Sequence, residues 1–155
     1  MNKNSNIGFI GLGNMGKPIF DNLNKKFSNI FYFDKDTSKL KKNNFSSSLI
    51  EIFEKCEIII FCIESNEQII DIIKENKIKK NTVIVDLTSS LPDLTKKISS
   101  YLKKFESHYV DAGMSGGASG AKNGTLTLES LCKVRKRNDS SETVRGRASS
   151  KQWLR

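Results

Sequence analysis

The first 130 residues of the chain contain no arginine, and all 155 residues together contain one histidine, His108, and two prolines. The three cysteines, Cys56, Cys62 and Cys132, form no Cys-x-x-Cys pair. One histidine and an odd number of scattered thiols argue against a zinc site and a disulfide framework, and they predict reduced thiols in a cytoplasmic protein. The longest apolar run, IIIFCI at residues 58–63, is too short to cross a bilayer, so we predict no membrane partner.

Positive charge is concentrated at the C-terminal end. Residues 1–130 carry 18 lysines against 15 acidic residues, a net charge of +3, whereas residues 131–155 carry 8 basic against 2 acidic residues, a net charge of +6. This second segment has every arginine and the single tryptophan, but no isoleucine or phenylalanine. It cannot bury enough apolar surface to offset the entropy of ordering. We therefore predict one domain over residues 1–130 and a disordered or poorly packed basic tail over residues 131–155.

Short apolar runs alternate with segments of helical periodicity, the pattern of parallel strands joined by crossover helices. The run EIIIFCI is apolar without alternation, as in a central strand that helices cover on both faces. The predicted strands are Asn6–Ile10, Ile30–Phe33, Glu57–Ile63, Thr82–Asp86 and His108–Ala112, with a short one near Phe45. The predicted helices are Met15–Lys26, Ser48–Lys55, Ser65–Glu75 and Leu91–Lys104. This order predicts an α/β fold with a Rossmann-type doubly wound, mostly parallel sheet.

The stretch NIGFIGLGNMGKPIF places three glycines between the first strand and the first helix. In a Gly-x-Gly-x-x-Gly loop, Gly11 permits the tight turn, Gly13 lets the backbone approach a pyrophosphate, and Gly16 lets helix and strand pack closely. The helix N-terminus then presents unpaired amides and the positive end of its dipole to the phosphates. The loop in this context predicts dinucleotide binding.

The second predicted strand ends at Asp34, eighteen residues after Gly16. A carboxylate at this place accepts hydrogen bonds from both ribose hydroxyls of NAD and repels the 2′-phosphate of NADP, so we predict NAD as the cofactor in preference to NADP. Two alternatives stay open. Asp34 could instead begin a turn or cap the next helix, and Lys35 and Lys39 could soften the discrimination against NADP.

A second glycine-rich stretch, HYVDAGMSGGASGAKNGTLTL, follows the last predicted strand. Consecutive flexible residues with free amides can form a concave nest for a carboxylate, with the hydroxyl of Ser115 as a further donor. A glycine-rich surface loop is the alternative.

Three motifs in order, GFIGLGNMG, DLTSSLP and DAGMSGGASGAKNGTLTL, resemble the nucleotide domain of the β-hydroxyacid dehydrogenases of the 3-hydroxyisobutyrate dehydrogenase type. The resemblance covers about residues 6–128. The glycine before MSGG leans towards 6-phosphogluconate dehydrogenase, which is the alternative within the family. The chain departs from the family pattern at Glu64, which replaces a proline, at the inverted pair Thr88-Ser89, and at Gly113-Met114, which replaces Pro-Val.

The resemblance implies a cofactor site and a substrate site. The cofactor residues it implies are Gly11, Leu12, Gly13, Asn14, Met15, Gly16, Asp34, Ile63, Glu64 and Ser89. The substrate carboxylate would be bound by Ser115, Gly116 and Gly117. The implied substrate is a small 3-hydroxy acid such as 3-hydroxyisobutyrate, or its semialdehyde in the reverse direction.

The family's general acid and base is a lysine well downstream of the SGG motif, so we expect no catalytic residue in this chain and little or no turnover. The family's C-terminal helical domain, which usually forms the dimer, is also expected to be absent. Lys17 and Lys122 are better explained as solvated charges than as substitutes for the catalytic lysine. The family pattern stops at Leu128, and we interpret the remaining residues as foreign to it.

A rival hypothesis is a nucleotide-binding module whose basic tail docks on nucleic acid; the tail lacks interleaved aromatic residues, which disfavours a nucleic-acid partner.

Overall fold

The structure is a computed structural model that describes residues 5–39, 48–88, 91–132 and 144–149. Its strands are β1 (Ile7–Ile10), β2 (Ile30–Phe33), β3 (Ile58–Phe61), β4 (Val83–Asp86), β5 (His108–Ser115), β6 (Thr127–Cys132) and β7 (Val144–Ser149). Its helices are α1 (Gly16–Asn24), α2 (Leu49–Lys55), α3 (Asn66–Glu75), α4 (Pro92–Leu102) and α5 (Gly117–Asn123). Two 3₁₀ turns cover Thr37–Lys39 and Lys103–Phe105.

The strands form one sheet in the order β2-β1-β3-β4-β5-β6-β7. The first five strands are mutually parallel, and β6 and β7 add two antiparallel strands at one edge. The chain passes from β1 to β2 on one side and then crosses to β3 on the other side of β1. This reversal is a topological switch point, where open α/β sheets bind ligands at the carboxyl ends of their strands. The Rossmann-type doubly wound fold predicted from the sequence is confirmed.

Helices cover both faces of the sheet and divide the core in two. On one face, residues of α2, α3 and α4 such as Phe53, Ile73 and Ile98 pack around Phe61 of β3. On the other face, Phe20 of α1 packs with side chains from β1 and β2. Because neighbouring residues of a strand point to opposite faces, β3 needs apolar residues throughout, which explains its unbroken IIIF sequence.

The helix ends follow local chemistry. The hydroxyl of Ser48 accepts a hydrogen bond from the amide of Glu51 at 3.2 Å and caps α2, and Pro92 occupies the first turn of α4, where its missing N–H is tolerated. In α3, Ile69 and Ile73 are fully buried, which fits the predicted amphipathic face. None of the helices in the described ranges is long and apolar enough to cross a membrane.

The second glycine-rich stretch differs from the sequence prediction. The strand expected to end at Ala112 continues to Ser115, because β6 pairs with Ala112–Ser115, and the residues that follow form α5 rather than an open loop. Two glycines give α5 a low intrinsic helix propensity, so packing overrides local preference there. Gly120 and Ala121 are buried, and a side chain at Gly120 would lie 3.1 Å from Cδ2 of Leu126.

The sheet also extends past the boundary predicted at residue 130. β6 continues to Cys132, and Val144–Ser149 of the basic segment forms β7, which pairs antiparallel with the whole of β6. The segment predicted to be disordered or poorly packed therefore contains one strand with a paired backbone, and the domain boundary at residue 130 stays a prediction. Pairing with β7 satisfies the backbone amides and carbonyls at the edge of β6. Backbone hydrogen bonds of this kind do not require apolar side chains in β7. The strand predicted near Phe45 lies outside the described residues.

Helix α2 offers a test of the core. Phe53 is 1 % exposed beneath the helix, whereas Ile50, on the same helix, is 64 % exposed. We expect Phe53→Ala to lower the free energy of unfolding by about 3–5 kcal/mol, because it removes a buried ring and leaves a cavity. Ile50→Ala should change it by less than about 0.5 kcal/mol. Urea denaturation followed by circular dichroism measures both, and equal losses in the two variants would contradict this packing.

Candidate functional site

The ends of the central strands lie level at one edge of the sheet. Ile10 of β1 pairs with Phe33 of β2 on one side and with Phe61 of β3 on the other. The next residues therefore emerge together at the switch point: the glycine loop after β1, Asp34 after β2, and Cys62 followed by Ile63 after β3. This register brings three separately predicted parts of the cofactor site to one place.

The glycine loop is built from two close backbone contacts. Gly11 has φ +102°, and a Cβ on it would lie 2.3 Å from the carbonyl oxygen of Cys62. A Cβ on Gly16 would lie 2.0 Å from the carbonyl oxygen of Gly11. Neither distance is possible for a side chain, so glycine is required at both positions. Gly13 differs, since it is exposed and a Cβ on it would meet no heavy atom within 4 Å.

The first turn of α1 presents its amides at this edge. In the described part of the chain no side chain caps the helix at Met15, and its first turn contains no acidic residue. The amide of Lys17 already donates to the carbonyl of Gly13 at 3.0 Å. Asn14, beside it, is exposed and Met15 is half-buried. The exposed, positively polarised end of α1 can therefore accept an anion.

Asp34 turns its carboxylate towards the glycine loop. Its Oδ2 accepts the amide of Leu12 at 2.5 Å, and its Oδ1 accepts the amide of Asp36 at 2.8 Å. The residue is 8 % exposed. The carboxylate thus joins the ends of β1 and β2 and also begins the turn that leads into Thr37–Lys39. The bond from Asp36 shows the turn interpretation of Asp34 directly, and the bond from Leu12 holds the same carboxylate against the glycine loop, where the ribose contact stays a prediction.

The residues that follow β3 at this edge of the sheet include Ile63, Glu64 and Asn66. Cγ2 of Ile63 would lie 2.8 Å from a Cβ on Gly11, so Ile63 borders the loop directly, and Glu64 is exposed next to it. Asn66 opens α3 and is 2 % exposed, and its Nδ2 has no hydrogen-bond partner within the described residues. A buried amide donor of this kind calls for an acceptor. Sequence patterns gave no signal for Asn66.

A polar cluster joins β4 and β5, the next two strands of the sheet. Asp86 is fully buried, and it accepts a short hydrogen bond from the hydroxyl of Tyr109 and one from the amide of Thr88 at 2.7 Å. The bond to Thr88 fixes the start of the segment that follows β4. Ser89, the predicted cofactor residue in that segment, lies outside the described residues.

Asp111 stands beside Asp86 in the strand register and is the second acid of this cluster. Its Oδ2 accepts a hydrogen bond from the hydroxyl of Thr95 at 2.8 Å. Burial raises the pKa of the Asp111 carboxyl, the bond from Thr95 opposes that rise, and the negative charge of Asp86 adds to it. The sequence motif contains Asp86, but only the fold reveals that Tyr109 and Thr95 join these carboxylates to neighbouring elements.

The predicted substrate residues lie at the same edge of the sheet. Asp111 is level with the end of β4, and β5 continues four residues further to Ser115, roughly 13 Å beyond that level. Ser115, Gly116 and Gly117 are all exposed, and the two glycines have φ values of +122° and +57°. α5, which starts here, packs against α1. The turn therefore lies on the side of the sheet that carries the glycine loop.

The remaining candidate groups do not form a reactive centre. Nζ of Lys17 bonds both carboxylate oxygens of Asp21 at 2.5 and 2.6 Å, and Lys122 is exposed, which fits their interpretation as surface charges. Burial raises the pKa of Cys56 to about 12 and, together with the charge of Asp86, that of Cys62 to about 11, so both thiols are protonated at neutral pH. Among the described residues no cluster of three possible metal ligands occurs.

Comparison with known proteins agrees with this geometry. A family model described as the NAD binding domain of 6-phosphogluconate dehydrogenase matches residues 6–130. The 2-(hydroxymethyl)glutarate dehydrogenase of Eubacterium barkeri is 35% identical over 143 residues, which cover 83% of this chain and 46% of that protein. The mitochondrial 3-hydroxyisobutyrate dehydrogenase of Mus musculus is 31% identical over 132 residues, which cover 79% of this chain and 39% of that protein. The chain spans less than half the length of these relatives.

Solved structures share the fold. The 3-hydroxyisobutyrate dehydrogenase of Mycobacterium tuberculosis with L-serine superposes with a TM-score of 0.72 at 20% identity, covering 81% of this chain and 46% of that one. A reductive aminase of Aspergillus terreus in complex with NADPH gives a TM-score of 0.68 at 14% identity, covering 75% and 43%. From the matched family model and the identity to dehydrogenases over four fifths of its length, the chain belongs to the 3-hydroxyisobutyrate and 6-phosphogluconate dehydrogenase family, of which it carries the nicotinamide-dinucleotide-binding domain.

Proposed function

We propose that this chain binds NAD at the switch point between β1 and β3 as the cofactor half of a β-hydroxyacid dehydrogenase. The proposal rests on two features of the same loop. Gly13 has open space where a side chain would be, and the carboxylate of Asp34 lies 2.5 Å from the amide of Leu12, the residue before Gly13. A diphosphate fits where a glycine leaves the backbone accessible, and the adjoining ribose fits beside a carboxylate.

The residues present fit the cofactor. The loop from Gly13 to Met15 and the first turn of α1, which no side chain of the described residues caps, supply amide donors for two phosphates. The two carboxylate oxygens of Asp34 are acceptors that can each take more than one hydrogen bond, so the carboxylate can accept ribose hydroxyls beside the amides of Leu12 and Asp36. Ile63, Glu64 and Ser89 would border the nicotinamide half. Nδ2 of Asn66, which has no partner among the residues that the structure describes, offers a further donor on that side.

The preference for NAD over NADP rests on charge. A 2′-phosphate placed beside Asp34 would meet its carboxylate, and a second acid, Asp36, follows two residues later. Two acidic groups near one phosphate repel it, although the exposed Lys35 between them reduces that repulsion. The solved reductive aminase that shares the fold contains NADPH.

For the substrate we propose a small 3-hydroxy acid. The names 2-(hydroxymethyl)glutarate and 3-hydroxyisobutyrate, attached to two relatives, share a primary alcohol one carbon away from the carbon that bears a carboxylate. Ser115, with Gly116 and Gly117, would bind that carboxylate through the serine hydroxyl and the backbone amides of this exposed turn. The 6-phosphogluconate type remains the alternative within the family.

The chemistry that a nicotinamide cofactor would supply here is hydride transfer to or from the alcohol carbon of the substrate. The residues of this chain would orient the two reactants: the glycine loop and Asp34 fix the cofactor, and Ser115–Gly117 fix the carboxylate. Removal of the hydroxyl proton needs a general base within hydrogen-bond reach. Lys17 is paired with Asp21, and we assign the base to none of the residues that the structure describes, so we expect binding without efficient turnover.

The cytoplasmic location remains a prediction; the mouse relative is named mitochondrial.

A substitution at Gly13 separates binding from folding. The Cβ of Gly13→Ala would meet no protein atom within 4 Å, so the free energy of unfolding should change by less than about 0.5 kcal/mol. The added methyl would occupy the space of the diphosphate, so the Kd for NADH should rise about tenfold or more. Fluorescence titration with NADH and urea denaturation measure the two effects.

The control for this experiment is Gly16→Ala. Its Cβ would overlap the carbonyl of Gly11, so we expect a loss of stability of about 1–3 kcal/mol. Unchanged NADH affinity in the Gly13→Ala protein would place the dinucleotide elsewhere.

Cofactor preference is tested by Asp34→Asn. The amide oxygen can still accept the Leu12 N–H, but the negative charge is removed, so the ratio of NADPH Kd to NADH Kd should fall about tenfold. Asp36→Asn is the matched control, because it removes a nearby charge whose carboxylate instead bonds the amide of Ser38 at 3.1 Å, and it should change the ratio less than threefold or so. If Asp34→Asn leaves the ratio unchanged, Asp34 does not select the cofactor.

A further inference from the structure

Helix α5 connects the predicted substrate turn to the rest of the domain, but its own sequence gives it little stability. Its seven residues, GASGAKN, include two glycines and no long apolar side chain. A helix this short is marginal even with strong helix formers, and glycine costs roughly 1 kcal/mol relative to alanine. Contacts with other elements must therefore determine where α5 lies.

One of these contacts is a hydrogen-bonded clamp from α1. Nδ2 of Asn22 donates to the carbonyl oxygen of Ala121 at 2.9 Å and to that of Lys122 at 3.3 Å. These carbonyls belong to the last turn of α5, where helices lack their full set of internal bonds. The chain separation is 99 and 100 residues, so the clamp joins two distant parts of the sequence. Oδ1 of Asn22 accepts Nζ of Lys25 at 3.2 Å, which orients the amide group.

The geometry couples both predicted sites through these two helices. α1 begins at the glycine loop, and Asn22, near the C-terminal end of α1, holds α5. α5 begins at Gly117, directly after Ser115 and Gly116. Seven residues form a rod about 10 Å long, so fixing one end of α5 limits the movement of the other. At its far end the helix is stopped by Gly124, which has φ +67°.

We propose that Asn22 is a positioning residue that holds α5, and with it the Ser115–Gly117 turn, in place against the cofactor-binding helix. Loss of the clamp loosens the turn that binds the substrate carboxylate without changing the glycine loop. The ligand part of this inference rests on the proposed function, whereas the placement of α5 by Asn22 does not.

The test compares three variants of the full chain. Asn22→Ala removes the donor, and Asn22→Asp keeps the shape but places a carboxylate against two carbonyls. Asn24→Ala is the matched control, because Asn24 is the same residue type, lies on the same helix and is exposed. Circular dichroism melting establishes that each variant is folded. Amide hydrogen exchange of residues 118–124, the Kd for NADH, and the Kd for 3-hydroxyisobutyrate in the presence of NADH are then measured.

We expect both Asn22 variants to increase amide exchange in residues 118–124 by about three- to tenfold and to weaken 3-hydroxyisobutyrate binding by a similar factor. The Kd for NADH should stay within about twofold, which a general loss of structure would not allow. Exchange equal to that of Asn24→Ala, or an equal loss of NADH affinity, would overturn the proposal. If the unaltered chain does not bind NADH, the proposed function fails while the exchange measurement still decides the role of Asn22. If it binds NADH but no hydroxy acid, the substrate part of the inference is wrong.

Discussion

Two backbone contacts without side chains, Gly11 against the carbonyl of Cys62 and Gly16 against the carbonyl of Gly11, determine how the first strand, the first helix and the third strand meet. Any side chain at either glycine would overlap a backbone atom that cannot move independently of the sheet. The contacts bring the start of α1 down onto the carboxyl ends of β1 and β3. This places a helix terminus and its amides at the one point where the strand order reverses.

Around that junction, two acidic side chains occupy buried positions that apolar packing alone would not favour. The Asp34 carboxylate joins β2 to the glycine loop through the amide of Leu12, and Asp86 accepts the hydroxyl of Tyr109 beneath the segment that follows β4. A buried carboxylate is stable only when donors satisfy it. Both acids therefore hold backbone segments in place, and Asp34 also carries the charge on which cofactor preference is proposed to depend.

The sequence predicted the parallel part of the fold well because its signals are local and strong. Unbroken apolar runs identify β3, and the glycine spacing identifies the β1–α1 junction, where one steric requirement leaves one residue type. The sequence did not predict α5 or β7. α5 contradicts its own propensity and is held by Gly120, Ala121 and the bonds from Asn22, and β7 depends on backbone pairing with β6, which composition does not report.

The candidate site shows the same difference between residues that a local motif predicts and residues that only the folded chain identifies. Gly11, Gly13, Gly16 and Asp34 were predicted from spacing, since the chemistry of a phosphate and a ribose fixes which residue types follow a strand. Asn66 could not be predicted this way, because it becomes a candidate only through its burial, with Nδ2 lacking a partner within the described ranges. Burial and long-range hydrogen bonding are properties of the folded chain rather than of any short motif.

Titration of the isotope-labelled chain with NADH, followed by amide NMR, shows where the dinucleotide binds. We expect saturable shifts that are largest at residues 11–16, with further shifts at Asp34 and Ile63, the three places where neighbouring strands end level at the switch point. Shifts confined to other surfaces, or no shifts at millimolar NADH, would contradict a cofactor site at the switch point.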